Sequence, residues 1–155
     1  RHAAMCMGYH DRFAAWCPQA PSTGSETPGL FRRPEPLRMN IIYIEDAPDV
    51  RDMVELLLQS WGHDVRAFDS AEAGSEALQS DKVDLLISDL ELPGMSGLEL
   101  MRQVMAHNHH LHGLLLTGHR AEMYRPHLPE RVHILSKPFD VDELQKLLAS
   151  LTPAA

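Results

Sequence analysis

From residue 40 onward, short apolar runs alternate with longer segments whose apolar residues recur at helical spacing. Five such runs follow one another along the chain: 41–44, 65–68, 85–87, 114–117 and 132–135. Most of them are continuously apolar and rich in Ile, Leu or Val, which is typical of strands buried on both faces of a parallel sheet. The alternation therefore predicts an open α/β domain, a doubly wound parallel sheet with helices on both faces.

The segments between the runs carry helix signals. The first segment ends at Gly62, a typical stop residue, after apolar residues at helical spacing: Val50, Val54, Leu57, Leu58 and Trp61. Ser70 is a candidate N-cap, and the turn 92–97 precedes another apolar helical pattern. A capping box precedes the last helix, whose predicted buried stripe is Leu144, Leu147, Leu148 and Leu151. Pro126 and Pro129 should break or truncate any helix between the last two strands.

Residues 1–38 differ from the rest of the chain. They contain five prolines and no helical or strand periodicity, so we interpret them as a disordered tail or linker ahead of a domain at 39–152. Because the first residue is Arg, we expect either a fragment or a natural start at Met39. The net charge is +2 over residues 1–38 and −10 over the remainder. An acidic body repels nucleic-acid phosphates and suits a hard cation such as Mg²⁺.

Several classes of protein are excluded by what the sequence lacks. There is no apolar run long enough to span a bilayer and no secretory signal pattern at the start, so we expect a cytoplasmic chain without membrane contact. Cys6 and Cys17 are the only cysteines, which argues against a disulfide scaffold and a structural zinc site.

Polar residues follow four of the predicted strands. Glu45 and Asp46 end the first strand, Asp89 the third and Thr117 the fourth, while Lys137 follows the fifth. In open α/β sheets, ligands bind outside the carboxyl ends of the strands. A cluster of carboxylates at that edge favours a divalent cation, and the hydroxyl and ammonium groups suit a phosphate. The chemistry indicated is phosphoryl transfer to a carboxylate.

These residues, taken with their neighbours, resemble the receiver domain of two-component response regulators. The matching elements occur in the family's order: Glu45-Asp46, Asp89 within the segment 88–97, Thr117-Gly118, and Lys137-Pro138-Phe139. The resemblance covers about 39–151 and is similar both to single-domain receivers and to those attached to hybrid kinases. It implies a flavodoxin-like sheet of five strands in the order 2-1-3-4-5.

The resemblance also implies roles for the residues. Asp89 would accept a phosphoryl group from a histidine kinase or a phosphotransfer protein. Asp46 and Asp89, with the backbone carbonyl of Glu91, would coordinate Mg²⁺, while Glu45 would act mainly through water. Lys137 would pair with the phosphoryl oxygens, and Thr117 would turn inward to bond one of them. The chain would then be a two-state signalling module rather than a metabolic enzyme.

Some positions depart from the family pattern or are open to two interpretations. The family usually has Tyr or Phe where this chain has Ile134, which puts aromatic coupling to an output surface in doubt. Glu91 and His119 either flank an attacking water or are simply solvated. The resemblance makes Pro138 a candidate for a cis peptide bond. Four histidines lie close together in a predicted surface loop: His107, His109, His110 and His112. No Cys or carboxylate lies within this run, so we do not expect a specific metal site there.

Two other functions stay open at this stage. One is a receiver-like interaction module that is never phosphorylated, which the isoleucine at 134 and the short segment before the fifth strand would favour. The other is an aspartyl-phosphate hydrolase of the haloacid-dehalogenase type. That family needs a second Asp two residues after the first, where this chain has Glu91, and room for a substrate cap.

Overall fold

Five strands form one sheet in a computed structural model that describes residues 37–80, 82–118 and 121–151. The strands are β1 (Asn40–Ile44), β2 (Asp64–Phe68), β3 (Leu85–Asp89), β4 (His112–Thr117) and β5 (Val132–Ser136). All neighbouring pairs are parallel, and the order across the sheet is β2-β1-β3-β4-β5. The predicted fold class and strand order are therefore confirmed.

Four α-helices connect or follow the strands: α1 (Pro48–Ser60), α2 (Ala71–Ser80), α3 (Gly97–His107) and α4 (Val141–Leu151). Pro48 stands at the start of α1, where a missing N–H costs nothing, and Gly62 follows the helix with φ +91°. Ser96 caps α3, since its side chain accepts a hydrogen bond from the backbone N–H of Glu99 at 3.2 Å. Pro48, Gly62 and Ser96 thus stand at helix ends where their backbone or side-chain properties favour starting or ending a helix.

The helices bury two apolar layers, one on each face of the sheet. Alternation along β1 sends Ile41 and Tyr43 toward α1 and α4, and Ile42 and Ile44 toward α2 and α3. The predicted stripe of α4 packs on the first of these layers, with Leu144, Leu148 and Leu151 buried and Leu147 partly buried. Because β1 and β3 are covered on both sides, the residues at their carboxyl ends are held rigidly.

The connection between β4 and β5 has no α-helix in its described part. Residues Ala121–Met123 and Arg125–His127 form two short 3₁₀ turns, which agrees with the truncation predicted from Pro126 and Pro129. Tyr124 and Leu128 cover the α2 and α3 layer in place of a full helix.

Arg131, just before β5, ties this connection to the end of α3. Its Nη1 atom donates to the carbonyl oxygens of Asn108 at 2.9 Å and Leu111 at 3.0 Å, and its Nη2 atom to that of Met105 at 3.5 Å. One guanidinium thus donates to a carbonyl in the last turn of α3 and to two carbonyls in the segment between α3 and β4.

The predicted tail lies outside the described residues, apart from Leu37 and Arg38, and the domain boundaries at 39 and 152 stay predictions. Within residues 37–80, 82–118 and 121–151, no helix has the length and apolar character needed to cross a membrane.

Candidate phosphoacceptor and metal site

Parallel register brings the polar strand ends to one edge of the sheet. Glu45 and Asp46 follow β1, and Asp89 ends the neighbouring strand β3, where Ile44 pairs with Ser88. One carboxylate oxygen from each of the three acids lies within 4.8 Å of the others. Among the residues that the structure describes, this is the only such group of three potential metal ligands. Its donors are all oxygens, which fits Mg²⁺.

Lys137 provides the positive charge next to this cluster. Its Nζ atom lies 2.8 Å from Oε2 of Glu45 and 3.2 Å from Oδ2 of Asp89. Glu45 is 2% exposed and Asp89 is 8% exposed, whereas Asp46 is exposed. Burial alone would lower the pKa of Lys137, but hydrogen bonds and charge attraction from Glu45 and Asp89 outweigh it, and the pKa is raised. The ammonium group therefore stays charged in the site.

Glu45 has further partners within its own segment. The Tyr43 hydroxyl donates to Oε2 of Glu45 at 3.4 Å, and the backbone N–H of Ala47 donates to Oε1 at 3.4 Å. Arg51 on α1 donates from Nη1 to the carbonyl oxygen of Glu45 at 2.9 Å. Burial, and then the nearby Glu45 charge, raise the pKa of Tyr43 strongly, so its hydroxyl keeps its proton and remains a donor.

The loop after β3 is held close to Asp89. The backbone N–H of Glu91 donates to Oδ1 of Asp89 at 3.3 Å, and the Ser88 hydroxyl donates to the Asp89 carbonyl at 2.9 Å. A Cβ atom at Gly97 would collide with that same carbonyl oxygen, so the start of α3 can approach β3 only because residue 97 is glycine. Glu91 itself is exposed, two residues beyond Asp89.

Thr117 and Lys137 are connected through the backbone. Thr117 is fully buried at the end of β4, paired with Ser136, and its carbonyl oxygen accepts a hydrogen bond from the Lys137 N–H at 2.7 Å. The peptide bond between Lys137 and Pro138 is cis, as the resemblance indicated. All five side chains predicted for the site thus lie at the same edge of the sheet.

Other residues singled out in the sequence lie elsewhere. Ile134 is partly buried against the α2 and α3 layer. His107 ends α3 and His112 begins β4, at the opposite end of that strand from Thr117; with His109 and His110 they form no group of three converging ligand atoms among the described residues. His119 lies outside the described residues.

Sequence reasoning did not single out Tyr43 as a site residue. One signal could have found it, because residues two apart on a strand share a face, which places Tyr43 beside Glu45. The hydrogen bond between them would still not follow from the spacing alone.

The family model described as the response regulator receiver domain matches residues 41–149. The chain belongs to this family. It is 32% identical over 113 residues to the transcriptional regulatory protein FixJ of Bradyrhizobium diazoefficiens, covering 72% of this chain and 55% of FixJ. It is also 32% identical over 114 residues to the receiver protein CpdR of Brucella abortus, covering 70% of this chain and 95% of CpdR. The chain therefore spans about half the length of one of these relatives and nearly all of the other.

Solved receiver structures share the fold. The response regulator TrrA of Thermotoga maritima, solved in complex with Mg²⁺ and BeF, has a TM-score of 0.65 and 27% identity, covering 73% of this chain and 98% of that one. The receiver domain of a Pseudomonas aeruginosa sensor histidine kinase, solved with magnesium in its active-site cleft, has a TM-score of 0.67 and 22% identity, covering 76% and 99%. The family to which this chain belongs consists of signalling modules of two-component systems.

Proposed function

We propose that this chain is a phosphoacceptor receiver that takes a phosphoryl group onto Asp89 from a histidine kinase or a phosphotransfer protein. The observation that carries the proposal is the convergence of Glu45, Asp46 and Asp89 within 4.8 Å of one another, with Lys137 bonded to two of them. Three acids so close together repel one another, and positive charge from Lys137 and from a bound cation would offset that cost.

In the proposed transfer, a carboxylate oxygen of Asp89 attacks the phosphorus atom of a phosphohistidine. The new O–P bond forms as the P–N bond breaks, and the electron pair of that bond stays on the imidazole nitrogen of the donor. Lys137, 3.2 Å from Oδ2 of Asp89, offsets charge that develops on the phosphoryl oxygens. The hydroxyl of the buried Thr117 would donate to one of those oxygens in the product.

Mg²⁺ fits the site through Asp46, Asp89 and the carbonyl oxygen of Glu91, with Glu45 acting through water. When bound, the ion would neutralise charge on the acids and on the phosphoryl group. The exposure of Asp46 leaves a route to solvent on one side, while the burial of Glu45 and Asp89 fixes the other two carboxylates.

An apolar surface beside Lys137 supports a protein donor. Exposed residues on α1 and at the start of α4 contribute to it: Val50, Met53, Leu56 and Val141. Lys137, Pro138 and Phe139 line the same surface. Contiguous exposed apolar patches rimmed by polar residues mark interaction sites, and contact with a protein donor is the use proposed for this one. We place this relay in the cytoplasm, without direct binding of the acidic domain to nucleic acid or membrane.

Phosphorylation would then shift the domain between two conformations, with Thr117 drawn toward Asp89 and the loop after β4 moving with it. The downstream partner is a protein in this proposal. Ile134 stands where the family usually has an aromatic ring, so we expect any signal to reach that partner without a ring movement at this position.

Intact-mass spectrometry after incubation with acetyl phosphate and Mg²⁺ tests the proposal. Wild-type protein should gain one phosphoryl group, and Asp89→Asn should gain none. If wild type gains no adduct and also fails to bind beryllofluoride, the interaction-module interpretation replaces the receiver function. Sustained hydrolysis of simple phosphate esters would instead favour a haloacid-dehalogenase-type hydrolase.

A further inference from the structure

Tyr43 brings a hydroxyl group into the apolar layer directly beneath the acidic cluster. The residue is fully buried near the carboxyl end of β1, on the face covered by α1 and α4. Its hydroxyl donates to Oε2 of Glu45. A buried tyrosine hydroxyl needs a hydrogen-bond partner, and here that partner is an acid of the candidate site.

Two donors share the same oxygen of Glu45. Lys137 donates to Oε2 at 2.8 Å, and Tyr43 donates to it at 3.4 Å. The shorter, charge-assisted bond makes Lys137 the stronger partner in this conformation. The second oxygen, Oε1, accepts only a long bond of 3.4 Å from the Ala47 N–H among the bonds described for it.

The balance between these donors changes once Asp89 is occupied. According to the proposed function, on which this inference rests, Lys137 turns to the phosphoryl oxygens on Asp89. Glu45 is 2% exposed, so bulk water cannot readily replace the lost ammonium. A buried carboxylate that loses its charged partner is disfavoured unless other donors hold it, and here those donors would be the Tyr43 hydroxyl and the water on the proposed cation.

We propose that Tyr43 is a positioning residue, which holds Glu45 in place when Lys137 moves from Glu45 to the group on Asp89. In the free state the hydroxyl is a minor partner. In the occupied state it becomes the main side-chain donor to Glu45, and the carboxylate stays where it can face the cation. The hydroxyl thereby lowers the cost of releasing Lys137.

Beryllofluoride mimics the phosphoryl group on Asp89, and its affinity at saturating Mg²⁺ tests the inference. Tyr43→Phe keeps the ring and removes only the donor. We expect it to weaken beryllofluoride binding roughly three- to tenfold, as for loss of one ordinary hydrogen bond, because the contact of 3.4 Å is long for a bond to a carboxylate. Binding of Mg²⁺ alone should change less than about twofold, because Lys137 then remains on Glu45. Tyr124→Phe, in the connection between β4 and β5, is the matched control and should change neither affinity.

A double-mutant cycle with Glu45→Gln separates positioning from packing. If Tyr43 acts through Glu45, the thermal stabilities of metal-free Tyr43→Phe and Glu45→Gln must be non-additive in the double variant. Additive effects, or equal weakening of Mg²⁺ and beryllofluoride binding by Tyr43→Phe, would reduce Tyr43 to an ordinary core residue. This measurement needs no ligand, so it reports on the free-state hydrogen bond even if Glu45→Gln binds beryllofluoride too weakly to measure. The beryllofluoride and Mg²⁺ affinities of Tyr43→Phe decide the role of Tyr43 in the occupied state.

Failure of this inference is distinguishable from failure of the proposed function. Wild type that binds beryllofluoride normally, beside an unchanged Tyr43→Phe, overturns only the role of Tyr43. Wild type that binds no beryllofluoride in the presence of Mg²⁺ overturns both.

Discussion

Asp89→Asn should make the metal-free domain more stable, although it removes the proposed phosphoacceptor. The substitution keeps the shape of the side chain and an oxygen that can accept the Glu91 N–H bond. It removes one of three negative charges that lie together and leaves Lys137 paired with Glu45 at 2.8 Å. The change in the free energy of unfolding therefore reports mainly on the electrostatic repulsion within the acidic cluster.

The distances in the site set the size of this effect. At an effective dielectric constant of about 20, two carboxylate charges at 4.8 Å repel by about 3.5 kcal/mol, and Asp89 has two such neighbours. Lys137 at 3.2 Å attracts Asp89 by about 5 kcal/mol on the same scale. The remaining repulsion is about 2 kcal/mol, and solvent around the exposed Asp46 reduces it further. We therefore expect a gain of about 1 kcal/mol, or roughly 3–5 °C in Tm.

Thermal denaturation at low ionic strength is the assay, with Asp52→Asn on the exposed side of α1 as the control. The control should stay within about 0.5 kcal/mol of wild type. High salt should reduce the difference in Tm between Asp89→Asn and wild type, because screening weakens the repulsion between the carboxylates. Saturating Mg²⁺ should raise the Tm of wild type more than that of the variant. A metal-free Asp89→Asn domain that is less stable than wild type at low salt would refute the electrostatic reasoning.

Three further predictions concern the scaffold around the site. Gly97→Ala should cost about 2–3 kcal/mol in urea denaturation, because its Cβ would meet the Asp89 carbonyl oxygen, which β3 holds in place. Arg131→Met should cost about 2 kcal/mol in urea denaturation, since three backbone carbonyls lose their donor. Arg131→Lys should recover only part of this, and full recovery would contradict the view that two guanidinium nitrogens are needed to reach the three carbonyls. Burial lowers the pKa of both His63 and His133 in the fold, so stability should be constant above about pH 7 and fall as the pH drops through 6.5, where the unfolded histidines bind protons first. Replacing both by Gln should make the urea midpoint nearly independent of pH between 7 and 5.5. If the midpoint of this variant falls with pH as steeply as that of wild type, the two histidines do not cause the loss of stability.

The position of the site could be predicted because it follows from topology. Each of Glu45, Asp89 and Thr117 stands at the carboxyl end of an apolar run, and parallel strands bring those ends to one edge. Burial on both faces, which the continuous runs indicated, also fixed which segments were strands. Side-chain periodicity and the direction of the chain were enough to place these residues at one edge, whereas the strand order that makes β1 and β3 neighbours was implied by the resemblance.

The partners within the site could not be predicted in the same way. Lys137 lies 92 residues from Glu45 and 48 from Asp89, and sequence position does not say how it divides its hydrogen bonds between them.

Close packing between a helix and the sheet could not be predicted either, and Gly74 is an example. Glycine weakens a helix by intrinsic propensity, and yet Gly74 lies inside α2. A Cβ atom there would collide with Ile44, so the glycine permits close packing of α2 on β1. Packing of this kind depends on three-dimensional distances that the pattern does not contain.

The rigidity of the sheet explains why an acidic cluster of this kind persists. Glu45 and Asp89 cannot separate to relieve their repulsion, because β1 and β3 are paired in register and buried on both faces. Lys137 compensates only part of the charge, and its backbone is itself tied to β4 through the Thr117 carbonyl. A bound cation would relieve the remaining repulsion, so in the proposed function the two apolar layers that stabilise the fold also favour binding of the cation.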